Sequence, residues 1–169
     1  MYLRLFIIAA IIATSASFSI SSSEFKDREN IPKRCTCQGD DYNPEIELSD
    51  FPDATKSLVL IMDDPDVIHN HSSYIHWIVW DIPPTTTIEE NSTPGVTGKN
   101  SAGTYGYTGP CPASGVHRYY ITVYALDVLL NLGKDSDKKS VEKAMEGHII
   151  GKSELMGYYE KNDSFLLFY

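Results

Sequence analysis

Three short runs carry side chains able to handle charge. The first is Asp63-Asp64-Pro65-Asp66, the second is His76 within Tyr74-Ile75-His76-Trp77-Ile78-Val79-Trp80, and the third is His117-Arg118-Tyr119. Imidazole changes charge near neutral pH, and a neighbouring carboxylate raises its pKa and orients it. Asp64, His76 and His117 together can therefore bind an anion, provided one imidazole is protonated or donates a hydrogen bond. Each run also has a plainer reading. Asp before Pro often only shapes a turn, and a lone histidine on an apolar strand is usually a satisfied core residue. Two histidines, each opening a strand beside a Gly/Pro-rich loop and an acidic turn, favour a pocket. A fourth run, Tyr105-Gly106-Tyr107-Thr108-Gly109-Pro110-Cys111-Pro112, supplies a wall for it. Its glycines let backbone approach a ligand, its prolines fix its shape, and its N–H groups can face an anion.

Other chemistries fit less well. Gly98-Lys99-Asn100-Ser101 lacks the earlier glycine of a phosphate loop, Thr93 holding that place, and a strand rather than a helix follows. His69, His71, His76, His117 and Asp64 could serve as metal ligands or acid–base groups in phosphoester hydrolysis. No serine or cysteine has a legible nucleophile partner, so the expectation is a protein without catalytic residues, metal or cofactor. The three cysteines are Cys35, Cys37 and Cys111. A Cys35–Cys37 bridge would close a very tight ring, which favours Cys111 paired with either one and leaves one cysteine over. Cys-x-Cys has no second ligand pair at zinc-finger spacing.

These residues must be positioned by elements. Ser57–Met62, Tyr74–Asp81 and His117–Leu126 are rich in β-branched and aromatic residues and bounded by turn formers, so they read as strands. Alternation places His76, Ile78 and Trp80 on one face and Ile75, Trp77 and Val79 on the other, while His117, Tyr119, Ile121, Val123 and Ala125 share a face. All three strands are apolar on both sides, as central strands are. Asn91–Gly115 holds six glycines and three prolines and reads as a long functional loop. Val141, Ala144, Met145, His148, Ile149, Leu155, Met156 and Tyr159 recur at helical spacing after the candidate caps Asp135 and Ser136, with Gly147, Gly151 and Gly157 weakening that helix.

The chain of 169 residues suits one domain. Its first residues combine Arg4, the apolar run Leu5–Ala13 and small residues after it, the pattern of a secretory signal. The apolar run is shorter than the ~20 residues of a spanning helix. We expect a signal over residues 1–19 with cleavage within 16–23, a flexible leader over 20–30, and one domain over 31–169, secreted or periplasmic. A net charge of −9, about −10 once Arg4 is removed, repels nucleic acid and anionic bilayers, leaving peripheral membrane contact at most. Sequons stand at Asn70, Asn91 and Asn162.

Taken in order, these motifs resemble the phosphatidylethanolamine-binding proteins, also called Raf kinase inhibitor-like proteins. The resemblance rests on Ile31-Pro32 with Cys37-Gln38-Gly39, Leu58-Val59-Leu60 before Asp64-Pro65-Asp66, His76-Trp77-Ile78-Val79, and Gly106-Tyr107-Thr108-Gly109-Pro110-Cys111-Pro112. It continues through His117-Arg118-Tyr119, Tyr124-Ala125-Leu126-Asp127 and Gly147-His148-Ile149, and so covers residues 31–159. The cysteine-containing forms are similar to the bacterial branch. The resemblance implies a mostly β fold, with a large antiparallel sheet packed against a smaller sheet and a C-terminal helix. It also implies a shallow pocket for phosphate-like or carboxylate-like groups, lined by Asp64, His76, His117 and Tyr119 and rimmed by Asp66, Gly109, Pro110, Cys111 and Pro112. The family pattern continues Asp-Pro-Asp-Ala-Pro, whereas Val67 and Ile68 follow Asp66 here, which alters one rim. The function implied is binding of a phosphorylated small molecule or phospholipid head group without turnover. An extracytoplasmic protein partner, such as an inhibited protease or kinase, is the alternative.

Overall fold

The computed structural model describes residues 17–161. Nine strands and one α-helix occur in the order β1 (Ser19–Ser21), β2 (Glu29–Asn30), β3 (Ile46–Ser49), β4 (Ser57–His69), β5 (Ser72–Ile82), β6 (Thr87–Ile88), β7 (Val96–Thr97), β8 (Val116–Leu126), α1 (Lys138–Met145) and β9 (Ile149–Glu160). A six-stranded sheet in the order β2-β9-β8-β4-β5-β7 faces a three-stranded sheet in the order β1-β3-β6. Every pairing is antiparallel except the short one between β2 and β9. The fold is thus mostly β, with a large and a small sheet and one helix near the C-terminus, as the motifs imply.

The large sheet is apolar on both faces, and each face has its own cover. Leu58, Leu60, Met62, Ile121 and Val123 pack towards Ile46, Leu48 and Ile88 of the small sheet. Val59, Ile61, Ile78 and Trp80 pack towards Val141 and Met145 of α1. Burial of each such side chain stabilises the fold by about 1.5–3 kcal/mol, so both layers hold the central strands β4, β5 and β8 in place.

Two irregularities of the β4–β5 pair matter for function. Met62 pairs with Trp77 and Asp63 with Ile75, which leaves His76 as an extra residue in β5. This bulge shifts the alternation. Trp77 and Val79 join the small-sheet layer, Ile75, Ile78 and Trp80 join the helix-side layer, and His76 is freed from the expected Ile78–Trp80 face. A second break follows, because Asp64 pairs with Tyr74 but Ile68 pairs with Ser73. The acidic run is therefore not a turn after a strand but a bulged stretch within β4. Pro65, which lacks an N–H, sits where the ladder is already interrupted.

The helical period read through residues 141–159 is only half right. Asp137, not Asp135 or Ser136, accepts the Ser140 N–H as cap, and α1 ends at Met145 before Gly147 at φ +80°. Residues 149–160 instead form β9, paired with β8 from Leu126↔Ile149 to Val116↔Glu160. β8 needs a second partner, and this tertiary demand overrides local periodicity. Residues 20–30, expected as a loose leader, are also packed. Ile20 pairs with Leu48, Asn30 pairs with Tyr158, and Phe25 is buried. Gly157 is needed there, since a Cβ on it would lie 2.5 Å from Ile31 Cγ1. Of the expected signal over residues 1–19, residues 1–16 lie outside the described residues, whereas Phe18 packs against Phe51 and Ser19 pairs with Ser49 at the start of β1, so a cut within 16–23 would fall at or inside that strand. The segment 162–169, with its sequon at Asn162, also lies outside the described residues.

Among the cysteines, Cys37 and Cys111 form a disulfide with Cα atoms 5.5 Å apart, and Cys35 is a buried free thiol.

Candidate functional site

A cavity of about 280 Å³ opens where the two bulges interrupt the sheet. β4 contributes Asp64 and Val67, β5 contributes Tyr74 and His76, and β8 contributes Tyr119. The facing wall is the loop Thr108, Gly109, Cys111, Pro112 and Ala113. Asp64, His76, Tyr119, Gly109 and Pro112 of the expected set thus meet at one cavity. His117, Asp66 and Pro110 do not line it but stand directly behind residues that do.

Asp64 is 2% exposed, so its carboxylate needs internal donors. It has two: the Asp66 N–H donates to Oδ1 at 2.8 Å, and His117 Nδ1 donates to Oδ2 at 2.8 Å. His117 acts through that contact, locking the carboxylate from the back of the pocket. Asp66 is occupied elsewhere. It accepts from the Arg118 backbone N–H at 2.8 Å and from its guanidinium at 2.5 and 3.1 Å. The Arg118 hydrogen bonds hold the Asp66 carboxyl down at about 2. This clasp ties the bulged part of β4 to the start of β8. Pro110 accepts the Cys37 N–H through its carbonyl at 3.2 Å, fixing the loop from outside.

His76 donates from Nδ1 to the Thr108 carbonyl at 2.7 Å, because a carbonyl only accepts. Burial lowers its pKa below the ordinary imidazole value. The neutral ring therefore presents Nε2 as an acceptor, held between Tyr74 and Tyr119 at centroid distances of 5.0 and 5.2 Å. Tyr119 is 1% exposed, and its hydroxyl meets no acceptor in full hydrogen-bond geometry among the described residues, although the Asp64 carboxylate lies close enough to interact with it. Burial, then the charge of Asp64 and the contact with its carboxylate, push the pKa up, so it remains a phenol that can donate. Buried polar groups without partners are rare and call for an explanation.

The wall is built to stay close. Gly109 donates its N–H to Asp41 Oδ1 at 2.6 Å, the Tyr107 hydroxyl donates to the Cys35 carbonyl at 2.6 Å, and Thr108 N–H donates to the His76 carbonyl at 3.0 Å. A Cβ on Gly109 would lie 2.5 Å from the Cys35 carbonyl oxygen, so only glycine fits. Among the described residues no lysine or arginine lines the cavity, and Asp64 is the one carboxylate that does. A ligand anion is therefore met by neutral donors or by an imidazole protonated on binding, while a ligand cation would find Asp64 and the aromatic faces of Tyr74 and Tyr119.

Tyr74 and Ala113 were not legible as site residues, and Thr108 was read only as part of the loop wall. Tyr74 could have been found only by recognising that the strand alternation breaks at His76. Val67 does line the cavity, while Ile68 points outwards and is 72% exposed. His69 and His71 sit at the exposed tip of the β4–β5 hairpin and do not line the cavity, although the His69 ring packs edge-on against Tyr74 at 5.7 Å. Among the described residues, no group of three or more His, Cys, Asp or Glu side chains converges as a metal would require.

A family model described as phosphatidylethanolamine-binding protein matches residues 21–160. A UPF0098 protein of Methanothermobacter thermautotrophicus is 41% identical over 151 residues, covering 85% of this chain and 99% of the relative. Among solved structures, the phosphatidylethanolamine-binding protein homolog CT736 of Chlamydia trachomatis superposes with a TM-score of 0.83 at 42% identity, over 86% of this chain and 99% of the other. YbcL of E. coli superposes with a TM-score of 0.79 at 27% identity, over 87% of this chain and all 100% of the other.

Proposed function

The chain belongs to the phosphatidylethanolamine-binding protein family, and on that premise we propose that it is an exported protein that binds a phosphorylated head group, without turnover, in the Asp64–His76–Tyr119 cavity. One observation carries the reading: the buried Tyr119 hydroxyl, which completes no hydrogen bond among the described residues, beside a cavity with no cationic side chain among them. A phosphate oxygen supplies the acceptor that the hydroxyl lacks. The Cys111 and Ala113 N–H groups, which donate to no acceptor among the described residues, are further partners for the same anion. Asp64 opposes a bare anion, so the arrangement favours a zwitterion whose amine faces the carboxylate and the aromatic rings. Phosphorylethanolamine has that pattern.

Export is supported by the apolar N-terminal run of the sequence and by the Cys37–Cys111 disulfide, a bond that persists in oxidising compartments. Mass-spectrometric reading of the mature N-terminus tests it, and an intact Met1 on exported protein would count against it.

Isothermal titration with phosphorylethanolamine, inorganic phosphate and ethanolamine tests the pocket. Phosphorylethanolamine should bind most tightly of the three. Equal affinity for ethanolamine, or no heat from any of them, would refute the reading.

A further inference from the structure

The cavity wall has two halves that are held in different ways. Up to Pro110 it is hydrogen-bonded to the 35–41 segment by the Tyr107 hydroxyl, the Gly109 N–H and the Pro110 carbonyl. From Cys111 to Gly115, among the described residues, no hydrogen bond is made at all, and pairing resumes only at Val116 with Glu160. Cys111, Pro112 and Ala113 are the part of this stretch that faces the cavity. Their one covalent tie is the bond from Cys111 to Cys37, across 74 residues of sequence. Both of these cysteines are exposed.

We propose that the Cys37–Cys111 disulfide is a redox latch on the ligand pocket: oxidised, it holds the Cys111–Ala113 wall in binding geometry, and reduced by an extracytoplasmic dithiol, it releases that wall and weakens binding. The latch rests on the reading of the cavity as a ligand site. Exposure makes a disulfide open to attack, and exposed disulfides are the labile ones. The reaction balances as ordinary exchange. A thiolate of the dithiol attacks one cysteine sulfur and displaces the other as a thiolate. The second thiol of the dithiol then resolves the mixed disulfide. One S–S bond breaks in this chain, one forms in the dithiol, and two protons end on Cys37 and Cys111. Cys35 does not compete, because it is buried with its thiol donated to Glu24 Oε2 at 3.1 Å, away from solvent. Burial, then the contact with Glu24, keeps that thiol protonated and unreactive.

Ordering even two or three residues on binding costs enough to weaken affinity by at least about tenfold. The test compares the full chain oxidised, the full chain reduced with dithiothreitol, and the Cys37→Ser/Cys111→Ser double variant. Each is titrated with phosphorylethanolamine, and its backbone amide order parameters are measured by NMR. We expect binding weaker by about tenfold or more in the last two, with order parameters falling at Cys111 and from Ala113 to Gly115 and kept in the folded β4, β5 and β8. Unchanged affinity and unchanged order parameters on reduction would overturn the latch. So would order lost across all the strands, since the bond would then hold the fold and not the wall. If the oxidised protein fails to bind phosphorylethanolamine, the ligand reading falls, while the order parameters still decide whether the bond tethers the wall.

Discussion

His117 Nδ1 lies 2.8 Å from Asp64 Oδ2, with the two side chains only 15% and 3% exposed. The pair sits 53 residues apart in sequence and joins β8 to β4 at the floor of the cavity. Removing the imidazole would leave the buried Asp64 carboxylate short of one of its donors. His117→Ala should therefore cost about 1–3 kcal/mol of stability, measurable as a shifted urea midpoint. A loss below about 1 kcal/mol, the range of exposed pairs, would mean that the contact is not formed.

Tyr119→Phe separates binding from stability. Removing a buried hydroxyl that completes no hydrogen bond in the free protein should leave the unfolding free energy unchanged or slightly higher, while phosphorylethanolamine affinity falls by about 1 kcal/mol or more, roughly five- to tenfold. A variant that loses stability by more than that, as judged by chemical denaturation, would show that the hydroxyl already has a partner in the free protein.

His76 and Asp66 both contribute to the acid limb of stability. Burial lowers the pKa of His76 in the folded chain, so below the ordinary imidazole value the unfolded chain takes up a proton that the native one refuses, and stability falls as pH drops. At higher pH the residue is neutral in both states and contributes nothing. Asp66 acts lower: its carboxyl, held at about 2 by Arg118 against an ordinary 3.8, stabilises the fold above that ordinary value and loses the effect as pH falls towards 2. Denaturation midpoints across pH should show both losses, and the His76→Phe variant should lack the upper one.

The same protonation links to the ligand. A neutral His76 offers only an acceptor at Nε2, so a phosphate close to it is best met by the protonated ring. Binding should take up a proton near neutral pH. Titration calorimetry in buffers of different ionisation enthalpy reads this directly, and a binding heat independent of buffer would rule it out.

Losing the Cys37–Cys111 cross-link, which spans 74 residues, should destabilise the chain by about 4 kcal/mol through the entropy it removes from the unfolded state. The unfolding free energy of the Cys37→Ser/Cys111→Ser variant tests this. The Cys35→Ala variant should leave the disulfide formed, as free-thiol titration of the folded protein would show.

Most of the pocket was legible in the sequence, because Asp64, His76, Tyr119, Gly109 and Pro112 stand within motifs that keep their order. The strands β4, β5 and β8 were legible too, as their apolar residues alternate over most of their length. What could not be read follows from contacts between distant segments. The bulge at His76, which depends on how β5 registers against β4, turns Tyr74 and His76 into the cavity and breaks the alternation that a single strand would suggest. Leu155, Met156 and Tyr159 suit helical spacing and strand burial alike, and only the open edge of β8 decides between them. The disulfide partner of Cys111 was open between Cys35 and Cys37, and the burial of Cys35 beside Glu24 settles it.

The central claim is that Tyr119 and His76 meet the phosphate of a bound head group. Residue-resolved NMR of the His76 ring and the Tyr119 hydroxyl environment during titration with phosphorylethanolamine tests it most directly. Both should shift together and saturate with one affinity, while His71 at the hairpin tip and His148, bonded to Asp127, stay still. Saturable binding that leaves His76 and Tyr119 unmoved would contradict the account.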